Sequence, residues 1–337
     1  MAANLESMMF VQHTERDLPW HYAYNPELVA LLQQAPTSDE ALRIAGLDWE
    51  VQSQPLYVTD NPADMGKDPF TYLDISGSGS GLRQVPDFYA NVRNTDGAIL
   101  GVVGSRYKIV QNTDAFSFTD GIIGEGAVYE TAGSLNGGKT VWLLAKLDQM
   151  QLAGDETDNY LCFANTHDGS GSVKVCVTPI RVVCNNTLNA ALSGTKRIFR
   201  MRHTTNVDRR IEEAKEVLGL ATRYQVELAD FAEAMAKKKL EDNQLKAILN
   251  SIFDPKGEKP TDLQKRNAEE CKQAFYVCYA APDIAKFVGT AWGAINAMSD
   301  LVGHSLPHRN TKTYDEMNWG RIMDGHTLFD QMVDAVK

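Results

Sequence analysis

Between Lys196 and His203 the chain alternates. Lys196, Ile198, Arg200 and Arg202 take one parity, and Arg197, Phe199, Met201 and His203 take the other. A period of two is the signature of a strand whose two faces differ, and here one face is predominantly cationic. Upstream, residues 86–204 read as antiparallel β structure with two inserted helices. Phe88–Arg93 and Ala98–Val103 flank Thr95-Asp96-Gly97, a hairpin signal. Tyr107–Val110 is extended, and Asn112 caps a helix carrying Ala115, Phe116 and Ile122 that stops near Gly124. Strands follow at Ala127–Thr131, Thr140–Leu147, Tyr160–Asn165 and Ser172–Thr178, the last two joined by His167-Asp168-Gly169. Pro179 suits the first turn of a helix running through Val183, Leu188 and Leu192.

Beyond Asn206 the period changes. Ile211, Ala214, Leu218, Ala221, Tyr224, Leu228, Phe231 and Met235 recur at three- and four-residue steps, giving one long amphipathic helix. A linker at Asp254–Pro260 precedes helices expected over Thr261–Ala280, Ile284–Val302 and Thr327–Val336. At the other end, Thr37-Ser38-Asp39-Glu40 is a capping box opening a short helix stopped by Gly46. The expected fold is α+β: an antiparallel β-hairpin sheet with packed helices, then a helical C-terminal region. It divides into an accessory segment at 1–53, the α+β core at 54–205 and the helical region at 206–337.

Composition changes this picture in one place. With 337 residues, 43% of them hydrophobic and 23% charged, the chain is an ordinary globular sequence long enough for a full core. It contains no apolar run of membrane-spanning length and no secretory pattern at Met1–Trp20, so a cytoplasmic protein is expected. The five cysteines form no C-x-x-C pair and the seven histidines are scattered, so neither disulfides nor zinc are expected. The acidic residues near the C-terminus are too dispersed for a two-metal site. The net charge of −11 argues against nucleic acid until its distribution is considered. Lys174, Arg181, Lys196, Arg197, Arg200, Arg202, Arg209 and Arg210 face one acid, Asp208, across residues 174–210. Such a block is the footprint of a polyanion-binding face.

Two motifs compete with that reading. Gly133, Gly138, Lys139 and Thr140 match the phosphate-loop pattern G-x-x-x-x-G-K-[ST]. A phosphate loop must lead from a strand into a helix, whose amides and dipole hold the phosphates. Here Thr140–Leu147 alternates as a strand and Asn136-Gly137-Gly138 is a tight-turn signal, so a hairpin explains the string better. His167, Asp168 and Cys184 supply the residue types of a cysteine nucleophile, but Asp168-Gly169 reads as a turn and Cys184 as part of an apolar helix. No cofactor and no catalytic residue is assigned.

GSRYKIVQNTDAF (104–116), YETAGSLNGGKTVWLLAKL (129–147), THDGSGS (166–172), PIRVVCNNTL (179–188), RMRHTTN (200–206) and GTAWGAINAMSDLVGH (289–304) resemble the phage- and plasmid-borne proteins of the "domain of unknown function 932" family. The resemblance covers nearly the whole chain and implies a mobile-element setting rather than a chemistry. Together with the hairpin sheet and cationic strand, the chain is similar at fold level to phage single-strand annealing proteins. That similarity implies an ATP-independent, oligomeric single-stranded-DNA-binding and annealing protein. Lys174, Arg181, Lys196, Arg197, Arg200, Arg202, His203, Arg209 and Arg210 are its expected phosphate contacts. Phe199, Tyr107 and Trp142 are candidate base-stacking groups, with the hydrophobic core as the competing destination of Phe199 and Trp142. The alternative is a phage-encoded factor that binds a host or defence protein through its acidic surface.

Overall fold

A computed structural model describes residues 5–12, 26–59, 82–124, 128–181, 198–203, 211–257, 259–305 and 326–337. Its frame is an eight-stranded sheet in the order β11-β10-β9-β7-β6-β1-β2, with β8 pairing on β9. The strands are β1 (Leu5–Val11), β2 (Val29–Leu32), β6 (Val128–Leu135), β7 (Thr140–Lys146), β8 (Met150–Leu152), β9 (Asp155–Thr166), β10 (Val173–Arg181) and β11 (Ile198–Met201). Every pairing is antiparallel except β1 with β2, which run parallel. A separate sheet holds β3 (Val51–Thr59), β4 (Leu82–Arg93) and β5 (Ile99–Gly104). The chain is thus α+β, as its patterning predicts. The segment before residue 53 does more than form a layer, because β1 sits between β6 and β2 inside the main sheet.

Local chemistry accounts for most boundaries. Helix α1 (Ser38–Ile44) opens at Thr37, whose backbone N–H donates to Glu40 Oε2 at 2.9 Å while Glu40 N–H donates back to Thr37 Oγ1. Such a reciprocal cap stabilises a helix start by about 1 kcal/mol. Helix α2 (Asn112–Ile123) begins one residue earlier than patterning suggests. Gln111 is the cap, and the Asn112 amide is drawn inward to donate to Leu47 O at 2.9 Å. Helix α3 (Ile211–Lys237) matches the expected amphipathic run, and α4 (Asp242–Phe253) follows it, a helix that patterning did not resolve. Helix α5 (Asp262–Tyr279) starts at a further capping box, Thr261 with Gln264. Helix α7 (Thr327–Val336) has the predicted limits, with His326 Nδ1 accepting from Leu328 N–H at 3.1 Å.

Two expectations are corrected. The residues from Pro179 to Arg181 continue β10 rather than opening a helix, with Pro179 opposite Asn159. Among the described residues, β11 covers only Val173–Cys176 of β10, so Pro179 lies beyond that pairing, where a residue without an N–H is tolerated. The rest of that predicted helix lies outside the described residues. The single helix expected over Ile284–Val302 is also broken. A 3₁₀ turn at Ala285–Phe287 ends in Gly289 with φ +80°, and α6 (Ala291–Asp300) then starts anew and runs into a π-helical turn at Leu301–Ser305.

The larger core lies between one sheet face and the helices. There Phe118 meets Phe163 edge-on at 5.6 Å, Phe116 meets Tyr129 at 5.0 Å, and Tyr224, Leu228, Phe275 and Trp292 are buried. Residues Ala291–Ser299 of α6 are all buried, mostly apolar, with the Asn296 amide donating to Trp292 O at 2.8 Å. The opposite sheet face carries a second buried cluster that includes Met8, Phe10, Trp142, Leu144, Tyr160, Cys162 and Cys176.

Candidate functional site

The cationic strand forms one end of the sheet, and register determines what its side chains do. In the antiparallel pair, Lys174 stands opposite Arg200, Cys176 opposite Ile198, Val175 opposite Phe199 and Val173 opposite Met201. Opposed residues share a face, so the pair is two-sided. Val173, Val175 and Met201 enter the helix-covered core and half-buried Phe199 packs against it, while Lys174 and Arg200 stand together on the other side. Arg202 follows with the same parity as Arg200, and both arginines are exposed while Lys174 is half-buried. The pairing thus sets two cationic side chains directly opposite one another at this end of the sheet.

The sheet carries this row inward, from Arg200 and Lys174 to Ala164, Trp142 and Gly133 in successive strands. Trp142 is 4% exposed and belongs to the second apolar cluster. Its ring is a core group rather than an open stacking platform. Tyr107 is also engaged. Its ring stacks on His203 at 4.4 Å and 15°, and its hydroxyl donates to Thr166 O at 2.8 Å. His203 itself is 5% exposed, its Nδ1 lying 3.0 Å from Lys108 O. Arg181 ends β10, opposite Thr157, seven positions from Lys174. Lys196, Arg197, Arg209, Arg210 and Cys184 lie outside the described residues.

Beside this edge the two sheets meet in a polar seam. Asn91 Nδ2 donates to His167 O at 2.7 Å, and Asn165 Nδ2 to Val110 O at 3.0 Å. His167 Nε2 lies 3.1 Å from Asn112 Oδ1, and its ring meets Trp49 edge-on. The Asn112 amide already donates to Leu47 O, so its oxygen accepts and His167 Nε2 carries the proton. Burial pushes the His167 pKa down to about 3, with His203 adding to the effect and Asp168 opposing it. Burial also lowers His203, against its bond to Lys108 and the pull of Asp168. Both imidazoles are therefore neutral near pH 7. Asp168 accepts from Ser170 N–H and Oγ in the turn, at 2.9 and 2.7 Å. His167 is thus a buried seam residue and Asp168 a turn residue, while Cys184 lies outside the described residues.

The phosphate-loop string is a hairpin. Gly133–Leu135 belongs to β6, Leu135 pairs with Thr140 of β7, and Asn136, Gly137 and Gly138 take φ of +59°, +67° and +82°. No helix follows Lys139, so no amide cradle faces a phosphate there. Patterning also missed a buried network on the far sheet face. Tyr160 donates to Glu130 and lies 3.3 Å from Asp158 Oδ2, while Lys146 and Gln149 reach Asp158 Oδ1 at 3.1 and 2.6 Å. Polar residues at inward strand positions were its only signal. Among the described residues, no group of three His, Cys, Asp or Glu could hold a metal ion, and no helix is long and apolar enough to cross a membrane.

Comparison with known proteins yields one finding. The family described as "Domain of unknown function (DUF932)" matches residues 99–321. The chain belongs to that family. No curated protein and no solved structure matches it. The DUF932 match begins at β5 and takes in the phosphate-loop hairpin, Tyr107, His167, Lys174, Arg200, Arg202 and His203, while β1–β4 and α7 lie outside it. The sheet edge therefore lies within the DUF932 region, whereas the polar seam joins that region to Asn91 and Trp49 outside it.

Proposed function

We propose that this protein binds and anneals single-stranded DNA as an ATP-independent oligomer serving a mobile genetic element. One observation carries the reading. Lys174 and Arg200 stand directly opposite each other at the sheet's end, with exposed Arg202 continuing the row, in a chain whose total charge is −11. Cationic side chains spaced along one strand end suit a polyanion laid along it, because each phosphate they contact releases a condensed counterion. Lys196, Arg197, Arg209 and Arg210, on either side of β11 in the sequence, extend the proposed contact set, and Arg181 belongs to it by charge. With Trp142 buried and half-buried Tyr107 stacked on His203, phosphate contacts rather than base stacking would carry this interface.

A gel shift with a labelled oligonucleotide at low and moderate salt tests the reading. Binding that weakens with salt, and weakens further in the double variant Arg200→Ala/Arg202→Ala, is the expected result. No shift even at low salt overturns it. Particle mass measured with and without the oligonucleotide tests the oligomer. The rival reading, a factor that binds a host protein through the acidic surface, predicts a stoichiometric partner that survives nuclease treatment of a host lysate.

A further inference from the structure

The cationic strand is short, and one contact set holds its outgoing end. Beyond Met201 the chain leaves β10 and reaches His203, which residues 107–108 grip from three directions. Lys108 N–H donates to the His203 carbonyl, the His203 ring lies 3.0 Å from the Lys108 carbonyl through Nδ1, and Tyr107 stacks flat on the imidazole. Tyr107 is pinned in turn by its hydroxyl on Thr166 O at the end of β9. A carbonyl can only accept, so His203 Nδ1 carries the ring proton and Nε2 presents a lone pair. That Nε2 is buried and has no hydrogen-bond partner among the described residues.

We propose that Tyr107, Lys108 and His203 form a latch that positions Arg200 and Arg202, with His203 as the positioning residue, and that protonation of its Nε2 opens the latch. A second proton would place a full positive charge at a site with no acceptor for the new N–H among the described residues, and the cost of burying it falls on the contacts around the ring. Among the described residues, Asp168, in the β9–β10 turn, is the carboxylate acting on the ring, and His167 lies across the seam as a second neutral imidazole. The Lys108 side chain is exposed, and Tyr107 is held neutral because burial pushes its phenol up. Nothing on this list compensates a protonated His203 fully.

The latch stands on this geometry alone, while its role in DNA binding rests on the function proposed above. The two are separable because their acid responses have opposite signs. Acidification makes the whole chain more positive and so strengthens any general attraction to a polyanion. Opening the latch instead loosens the strand that carries the arginines and weakens binding.

The test is amide hydrogen exchange across residues 198–203 in the full chain, corrected for intrinsic rates, at about pH 7 and about pH 5. Protection is expected to fall roughly tenfold on acidification in the native protein and to stay level in His203→Asn. That side-chain amide keeps a donor for the Lys108 carbonyl but cannot titrate. The same acid response in both proteins would falsify the latch. Should His203→Asn fail to fold, Tyr107→Leu removes the stack without touching the titrating group. It is expected to raise exchange at 198–203 already at about pH 7, and unchanged exchange overturns the proposal. Anisotropy of a fluorescent oligonucleotide over the same pH step completes the test. Affinity is expected to drop in the native protein and to hold or rise in His203→Asn. If exchange behaves as expected but no oligonucleotide binds at either pH, the latch stands and the DNA reading falls.

Discussion

At Gly133 an added Cβ would sit 2.5 Å from the Ser7 carbonyl oxygen and 2.7 Å from the Trp142 ring, inside any real contact distance. The first glycine of the phosphate-loop string is thus required by the close approach of β1 and by an indole, with no nucleotide involved. Gly133→Ala is expected to cost about 1–3 kcal/mol, as overpacking does, whereas Lys139→Ala, at the exposed hairpin turn, should stay within about 0.5 kcal/mol. Chemical denaturation of the two variants checks the pair, and a functional phosphate loop would reverse their importance for nucleotide binding. His167 makes the other residue-scale prediction. Its pKa is depressed in the folded chain to about 3, so the unfolded chain binds the extra proton first. Its contribution to stability is complete above the unfolded value near 6.5 and is lost progressively as pH falls from there toward about 3. At about pH 5 the loss is on the order of 2 kcal/mol. His167→Gln, which keeps a donor for Asn112 Oδ1 and cannot titrate, should lose about 2 kcal/mol less than the native chain between about pH 7 and about pH 5 in urea titrations.

Among the elements, β1 and the β4–β5 hairpin belong to different sheets, and Arg93 joins them. Its guanidinium meets Glu6 of β1 at 2.6 Å and takes Asp96 of the turn in a two-pronged contact at 2.9 and 2.7 Å, over the Trp49 ring at 5.3 Å. Only a planar fork satisfies all three partners. Arg93→Lys is therefore expected to destabilise the chain by about 1–2 kcal/mol and Arg93→Ala by about 2–3 kcal/mol, both read as a shift in urea midpoint at unchanged slope. The sheets also touch through backbone. At Gly101 a Cβ would lie 2.4 Å from Asp168 Cα, so the β9–β10 turn rests directly on β5. That contact carries the seam in which His167 and His203 are buried.

For the molecule as a whole, the proposed interface makes a prediction about salt. If Lys174, Arg200 and Arg202 each neutralise one phosphate of a single strand, log affinity should fall against log salt with a slope of about −2, or roughly 20-fold between about 50 and about 200 mM. Replacing Arg200 and Arg202 by Ala should flatten that slope to about −0.7. A steeper native slope would bring in the flanking Lys196, Arg197, Arg209 and Arg210. A slope near zero in native and variant proteins alike would mean that the edge does not carry the binding.

The features legible in the chain itself are those settled within about ten residues. They are the two-faced strand at 198–201, the Asn136-Gly137-Gly138 turn that excludes a phosphate loop, the Thr37–Glu40 cap, and the cationic block around residue 200. Turn chemistry, capping and periodicity are local, so patterning alone is enough to find them. Pro179 shows where that stops, since whether a proline ends a strand depends on whether a neighbour needs its N–H. Tertiary structure alone decided that β1 enters the main sheet, that Lys174 stands opposite Arg200, that Trp142 is buried, and that His203 is gripped by Tyr107 and Lys108. Each of these depends on which distant segments become neighbours and in what register. Alternation within a strand says which residues share a face, and only pairing and packing say what that face meets.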